Sequence, residues 1–174
     1  MSPDDRPDQT GRGWTVIREQ VTIDAPRQAV WSVLADLDRF ADFSPMVRRV
    51  ERLDGPRSGV GAGRRCAAMR AGHIDERVVD WEEGRRLALE VVGGMPIRGV
   101  GVWMLEGDRP TEVSFRLEYR PRFGPAGRLM DRVVMRTQME RGFVANLDGL
   151  RRLVEAGTAE PGGRARPAEQ PTNP

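Results

Sequence analysis

Apolar positions change period twice along this chain, and the changes separate a sheet-forming middle from helical flanks. Ile17, Val21 and Ile23 alternate with Arg18, Gln20 and Thr22, the period-two mark of a half-buried strand. At Asp24-Ala25-Pro26 the alternation stops, and Pro26 suits a first helical turn because its missing N–H has no intrahelical partner there. Ala29, Val30, Val33, Leu34 and Leu37 then recur at three- and four-residue steps, an apolar helical stripe. Pro45 ends this region, so the opening predicts a strand followed by two short helices.

Alternation resumes at Val47. Strands are predicted over Val47–Leu53, Gly63–Arg70, His73–Glu82, Arg86–Val92, Ile97–Glu106 and Thr111–Tyr119, divided by turn sequences such as Asp54-Gly55-Pro56 and Gly107-Asp108-Arg109-Pro110. The last run is the cleanest. Val113, Phe115, Leu117 and Tyr119 share one face, and Ser114, Arg116, Glu118 and Arg120 the other. Short links between consecutive strands imply an antiparallel meander, seven strands with the first.

The second change of period follows Pro125. Leu129, Val133, Met139, Phe143, Leu147, Leu150 and Val154 fall on one side of a long helix expected over Pro125–Glu155, with Gly157 as its stop. Residues 1–13 and 157–174, rich in Pro, Gly and charge, read as disordered tails around one domain at 14–156. The predicted class is α+β, a curved antiparallel sheet around a long C-terminal helix. The helix stripe has the concave side of the sheet to bury against, and any space it leaves unfilled is a cavity.

Composition removes several classes of function. All 28 residues of the Lys+Arg count are Arg, set against 26 Asp+Glu, for a net charge of only +2. The sequence pI near 9.4 therefore overstates the basicity, since arginine does not titrate away. Arg and acidic residues are interspersed, the usual solvated surface, so no nucleic-acid partner is expected. Cys66 is the only cysteine, which excludes an internal disulfide and suits a reducing compartment. No long apolar run predicts a membrane span, the N-terminal stretch lacks the apolar core of a secretory signal, and the cytoplasm is the expected location.

Two segments carry a resemblance. VTIDAPRQAVWSVLADLDRFADFSP is similar to the strand–APxxxVW–helix opening of the START-like superfamily, also called SRPBCC. FGPAGRLMDRVVMRTQMERGFVANLDGLRRLVE resembles its closing helix, within the polyketide cyclase/dehydrase and lipid-transport group. The resemblance spans nearly all of residues 14–156 and implies a helix-grip fold with a pocket for an apolar molecule. Members of the group include binding proteins, cyclases and hydrolases, and a fold alone does not transfer an activity. It leaves three functions open: binding of a hydrophobic or polyketide-like molecule, cyclisation or dehydration of a natural-product intermediate, and chaperoning of a quinone or lipid.

Candidate chemistry centres on the one histidine. In a strand His73, Asp75 and Arg77 share one face, and Ile74, Glu76 and Val78 the other. Turned inward, the polar set would supply a proton carrier and a cation for a developing oxyanion, the needs of enolate formation. Arg77 also looks like the position of a pocket arginine in aromatic polyketide aromatase/cyclases. Turned outward, the same residues form an ordinary exposed strand face. His73 and Asp75 lack a third ligand at metal-like spacing, so no metal is expected, nor any cofactor. Gly59-Val60-Gly61-Ala62-Gly63 lacks the helix and glycine spacing of a dinucleotide loop. Tyr119, Trp81, Trp103, Phe115, Leu117 and Met130 are the candidate walls of an apolar pocket, each equally suited to plain core packing. Arg136 and Glu140, four apart on the long helix, are either a pair facing the ligand or long side chains reaching past the sheet edge.

Overall fold

The alternating first run becomes strand β1 (Thr15–Ile23), and its pairing partner is the last strand of the chain. A computed structural model describes residues 14–68, 72–121 and 136–159. Helix α1 (Arg27–Leu34) follows Pro26, whose extended backbone forms the N-cap. No side chain caps this helix. Instead the N–H of Arg27 donates to the carbonyl of Asp108, so the far turn of the sheet satisfies one of its free donors. A 3-10 turn (Leu37–Arg39) and a short helix α2 (Phe40–Phe43) complete the expected helical insertion after β1.

Six further strands form the meander: β2 (Val47–Arg52), β3 (Gly63–Ala68), β4 (His73–Glu82), β5 (Arg86–Gly93), β6 (Ile97–Glu106) and β7 (Thr111–Pro121). Together with β1 they make one antiparallel sheet in the order β1-β7-β6-β5-β4-β3-β2. The chain thus closes β1 onto β7 and leaves β2 at the opposite edge. Helix α3 (Arg136–Ala159) is the long C-terminal element. The part of the expected helix at 125–135, Met130 within it, residues 69 and 70 of the expected third strand, and the tails at 1–13 and 160–174 lie outside the described residues.

One boundary differs from expectation. Gly157 does not stop α3, which runs two residues further to Ala159. A glycine stop works by taking the left-handed φ, and Gly157 does not take it.

The register identifies the two faces of the sheet. Across β7, β6 and β5 the side chains of Phe115, Trp103 and Leu87 stand in one row, and Leu117, Gly101 and Leu89 occupy the next. All six positions are buried, and this is the inner face. A bulge between Val78 and Asp80 lets both Val78 and Trp81 of β4 keep to that side. Helix α3 makes its extensive backbone approaches to β1, α1 and α2, and none of like extent to β3, β4 or β5 among the described residues. It reaches the middle of the sheet through side chains. The inner side chains of β3–β5, Cys66, Val78, Leu87 and Leu89 among them, are buried with the rest of the core.

Candidate functional site

The inner face gathers rings on one side and charges on the other. Trp103 and Phe115 lie with ring centroids 4.5 Å apart, and Phe115 continues to Phe143 of α3 at another 4.5 Å. Gly101 makes this stack possible: a Cβ there would stand 3.0 Å from the Phe115 ring, tighter than ordinary side-chain contacts. Leu117 is buried beside the stack and Tyr119 is fully buried further along the same face. Trp81 is half-buried at the α1 end, edge-on to Trp31 at 5.0 Å. The indole N–H groups of Trp31 and Trp81 both donate to Glu83, at 2.6 and 2.9 Å, so this pair fastens α1 to the β4–β5 turn.

On β3 and β4 the inward row is polar. Arg64 and Glu76 face each other across the strands, with Arg64 Nε donating to Glu76 at 2.8 Å. Only 4% of the Arg64 side chain and 18% of that of Glu76 is exposed. The guanidinium also lies over the ring of Phe40 in α2, 3.8 Å from its centroid. Cys66, next along the row, is fully buried, with Sγ 3.9 Å from the Glu76 carboxylate. Burial first, and the neighbouring carboxylates with it, push its thiol up to about 12, so it is no nucleophile near neutral pH.

Helix α3 adds a second polar group. Asn146 is fully buried three residues beyond Phe143, and neither amide atom has a hydrogen-bond partner among the described residues. The hydroxyl of Ser44, after α2, is likewise buried without one. An amide so placed needs a partner that can both donate and accept. Gly149 lies on the same side of α3 and packs against the Phe43 carbonyl, which fixes how closely α2 and the helix approach.

The expected polar set stands elsewhere. His73, Asp75 and Arg77 do share a face, but it is the outer one. Their row alternates with Glu76 and Val78, and the inward side belongs to those residues. Asp75 accepts from Arg65 Nε and Nη2 at 2.7 and 2.8 Å, chiefly for which reason its carboxyl is held below the usual range. His73 lies 3.9 Å from Asp75 and is 44% exposed. Arg77 donates to the backbone carbonyls of Gly61 and Asp54, holding the β2–β3 loop. Arg136 and Glu140 form the expected four-residue ion pair at 2.8 Å, with 54% and 36% of their side chains exposed, so they are not buried in the stripe. Met130 lies outside the described residues.

The sequence carried a signal for the residues that do face inward. Ile74 and Val78 flank Glu76 on one side of β4, and two apolar neighbours on a face mark it as the inner one. Arg64 and Cys66 follow from the pairing register, which single-strand periodicity does not give. Two open clefts, of about 520 and 410 Å³, are lined by neither the ring stack nor the Arg64–Glu76 pair. One is bounded by Arg27, Glu82 and Arg85, the other by Ser44, Gly149 and Arg152. Among the described residues no three His, Cys, Asp or Glu side chains are grouped to hold a metal, and no helix is long and apolar enough to cross a membrane.

An antiparallel meander whose inner face carries rings, with a long C-terminal helix laid against β1, α1 and α2, is the helix-grip architecture of SRPBCC proteins. The chain belongs to the polyketide cyclase / dehydrase and lipid transport family, whose model matches residues 15–155. No curated protein matches it in sequence. Among solved structures it is similar to the ZhuI aromatase/cyclase from Streptomyces sp. R1128, at 21% identity and a TM-score of 0.73, covering 83% of this chain and 96% of that one. TTHA0849 from Thermus thermophilus is similar at 22% identity and a TM-score of 0.70, covering 83% and 99%. Norcoclaurine synthase from Thalictrum flavum follows at 14% identity and a TM-score of 0.64, covering 83% and 96%. At these identities the structural matches speak for the fold.

Proposed function

We propose that the chain binds an aromatic, polyketide-like molecule between the inner face of β3–β7 and α3, with its oxygen atoms directed to Arg64. The carrying observation is that one sheet face holds both the Trp103–Phe115 pair, which continues to Phe143 of α3, and the buried Arg64–Glu76 pair. Such a wall suits flat rings bearing carbonyl or phenol oxygens: the rings gain stacking contacts, and a fixed cation takes the oxygens. Asn146, unpartnered on the helix side, would hold a second polar group of the same guest. The family match and the aromatase/cyclase of the same fold support a ligand of this chemistry.

Native mass spectrometry after incubation with aromatic polyketides, fatty acids and quinones tests this reading. Retention of polyketides above the other two classes, weakened at least tenfold in Arg64→Met, is the expected result. Preferential capture of a quinone or fatty acid indifferent to Arg64 replaces it with the carrier reading.

One observation favours chemistry as well as binding. A guanidinium held beside a carboxylate on the inner face can stabilise an enolate oxygen while the carboxylate takes a proton from carbon. We assign those roles to Arg64 and Glu76. Under a cyclase reading Glu76→Gln lowers kcat far more than it changes ligand affinity, while His73→Ala and Arg77→Ala leave turnover near wild type. A loss of turnover in the latter two would return catalysis to the outer row.

A further inference from the structure

The outer face of the sheet carries a charge pattern that the described residues leave unused. Pairing of β6 with β7 sets Arg98 opposite Arg120 at one end and Glu106 opposite Glu112 at the other. All four are exposed, and none joins an ion pair with another described residue. Like charges directly opposite each other weaken a sheet, so each end is a local cost. Between the ends the outer row of β6 is Val100, Val102 and Met104, all partly exposed. Ala88 of β5 stands beside Val102 but is itself buried. The outer face of an antiparallel sheet is ordinarily polar. A strip of apolar side chains between a positive end and a negative end is a surface complementary to itself.

We propose that this face pairs with the same face of a second copy, about a twofold axis lying in the interface and running across the strands. That operation reverses strand direction and keeps β6 over β6 and β7 over β7. Arg98 and Arg120 then meet Glu106 and Glu112 of the second copy, the same contacts recur at the other end, and Val102 falls near the axis. A twofold along the strands would set arginine on arginine and glutamate on glutamate, which charge alone disfavours. Sheets packed face to face lie about 10 Å apart with strands within about 30° of alignment, a gap that Arg and Glu side chains reach across. Arg116 comes close to its own counterpart, its charge offset by the Glu118 carboxylate it already binds. The contact is isologous and closes on itself as a dimer. Its apolar centre is narrow and its charges lie at the rim, so the association is weak and salt-sensitive.

Sedimentation velocity over a concentration series, at low and high salt, reads this directly. Wild type is expected to dimerise with rising concentration, and high salt to weaken the association several-fold. The double variants E106R/E112R and R98E/R120E each place like charge on like charge, and each alone should remain monomeric. Mixed in equal amounts they should form a heterodimer, because every end contact is again opposite in sign. Recovery on mixing also shows that both variants are folded. A wild-type monomer at every concentration overturns the proposal. So do double variants that associate as wild type does, or a mixture that stays monomeric.

Discussion

Arg64 carries a permanent charge with only 4% of its side chain exposed, and the described groups compensating it are the Glu76 carboxylate and the Phe40 ring. A buried ion pair adds little over an apolar substitute, but removing one partner strands the other charge. Glu76→Ala is therefore expected to lower the unfolding free energy by about 3–5 kcal/mol, read from urea denaturation. Glu76→Gln keeps an oxygen for the guanidinium and should recover part of that loss. A loss below about 1 kcal/mol in Glu76→Ala would mean that solvent reaches the guanidinium and that the site is not closed. The same residues show where sequence reading stops at this scale. Alternation separates His73, Asp75 and Arg77 from Ile74, Glu76 and Val78, yet it does not say which set turns inward. The polar triad drew attention because its chemistry is richer. The apolar flanks of Glu76 were the better guide, since burial decides orientation before chemistry does.

Elements were more legible than their contacts. The change from period two to period 3.6 set the order of strands and helices, because each periodicity follows from local geometry alone. What α3 packs against is not a local property, and its glycines show the difference. A Cβ at Gly149 would run into the Phe43 carbonyl, whereas one at Gly157 would meet nothing within 4 Å. Gly149→Ala is expected to destabilise by about 1–3 kcal/mol, since backbone on both sides of the contact must yield. Gly157→Ala should do the reverse and stabilise by up to about 1 kcal/mol, through helix propensity at a position that remains helical. Thermal unfolding of the two variants side by side checks the pair. Equal shifts of the same sign would contradict the close seating of α2 on α3. In the sequence both glycines are mild interruptions of one helical stripe, and only the packing tells them apart.

At the scale of the whole molecule, a chain without lysine has an unusually simple response to alkali. Its arginines keep their charge, so Cys66 and Tyr119 are its only side chains with ordinary values in the alkaline range. Folding raises the Cys66 thiol from 9.0 to about 12. The native thiol thus keeps its proton while the unfolded one loses it above pH 9, so the folded state binds more protons and stability falls as pH rises. The expected slope is about 1.4 kcal/mol per pH unit, starting near pH 9 and flattening as pH approaches about 12. The acid limb has the opposite origin. Hydrogen bonds from Arg52 to Asp38 and from Arg65 to Asp75 hold both carboxyls below their ordinary value of 3.8. Their contribution is complete above that value and disappears as pH drops through the lower native values. Both pairs are partly solvated, so this limb is shallow and softened further by salt. Urea unfolding across the pH range should therefore give a plateau with a gentle acid shoulder and a steeper alkaline fall. Cys66→Ala, though less stable throughout, should lose the alkaline slope between about pH 9 and pH 10, below the ordinary range of the Tyr119 phenol, and keep the acid shoulder. An unchanged alkaline slope in that variant would place the titrating group elsewhere and deny the thiol its burial between the sheet and the helices.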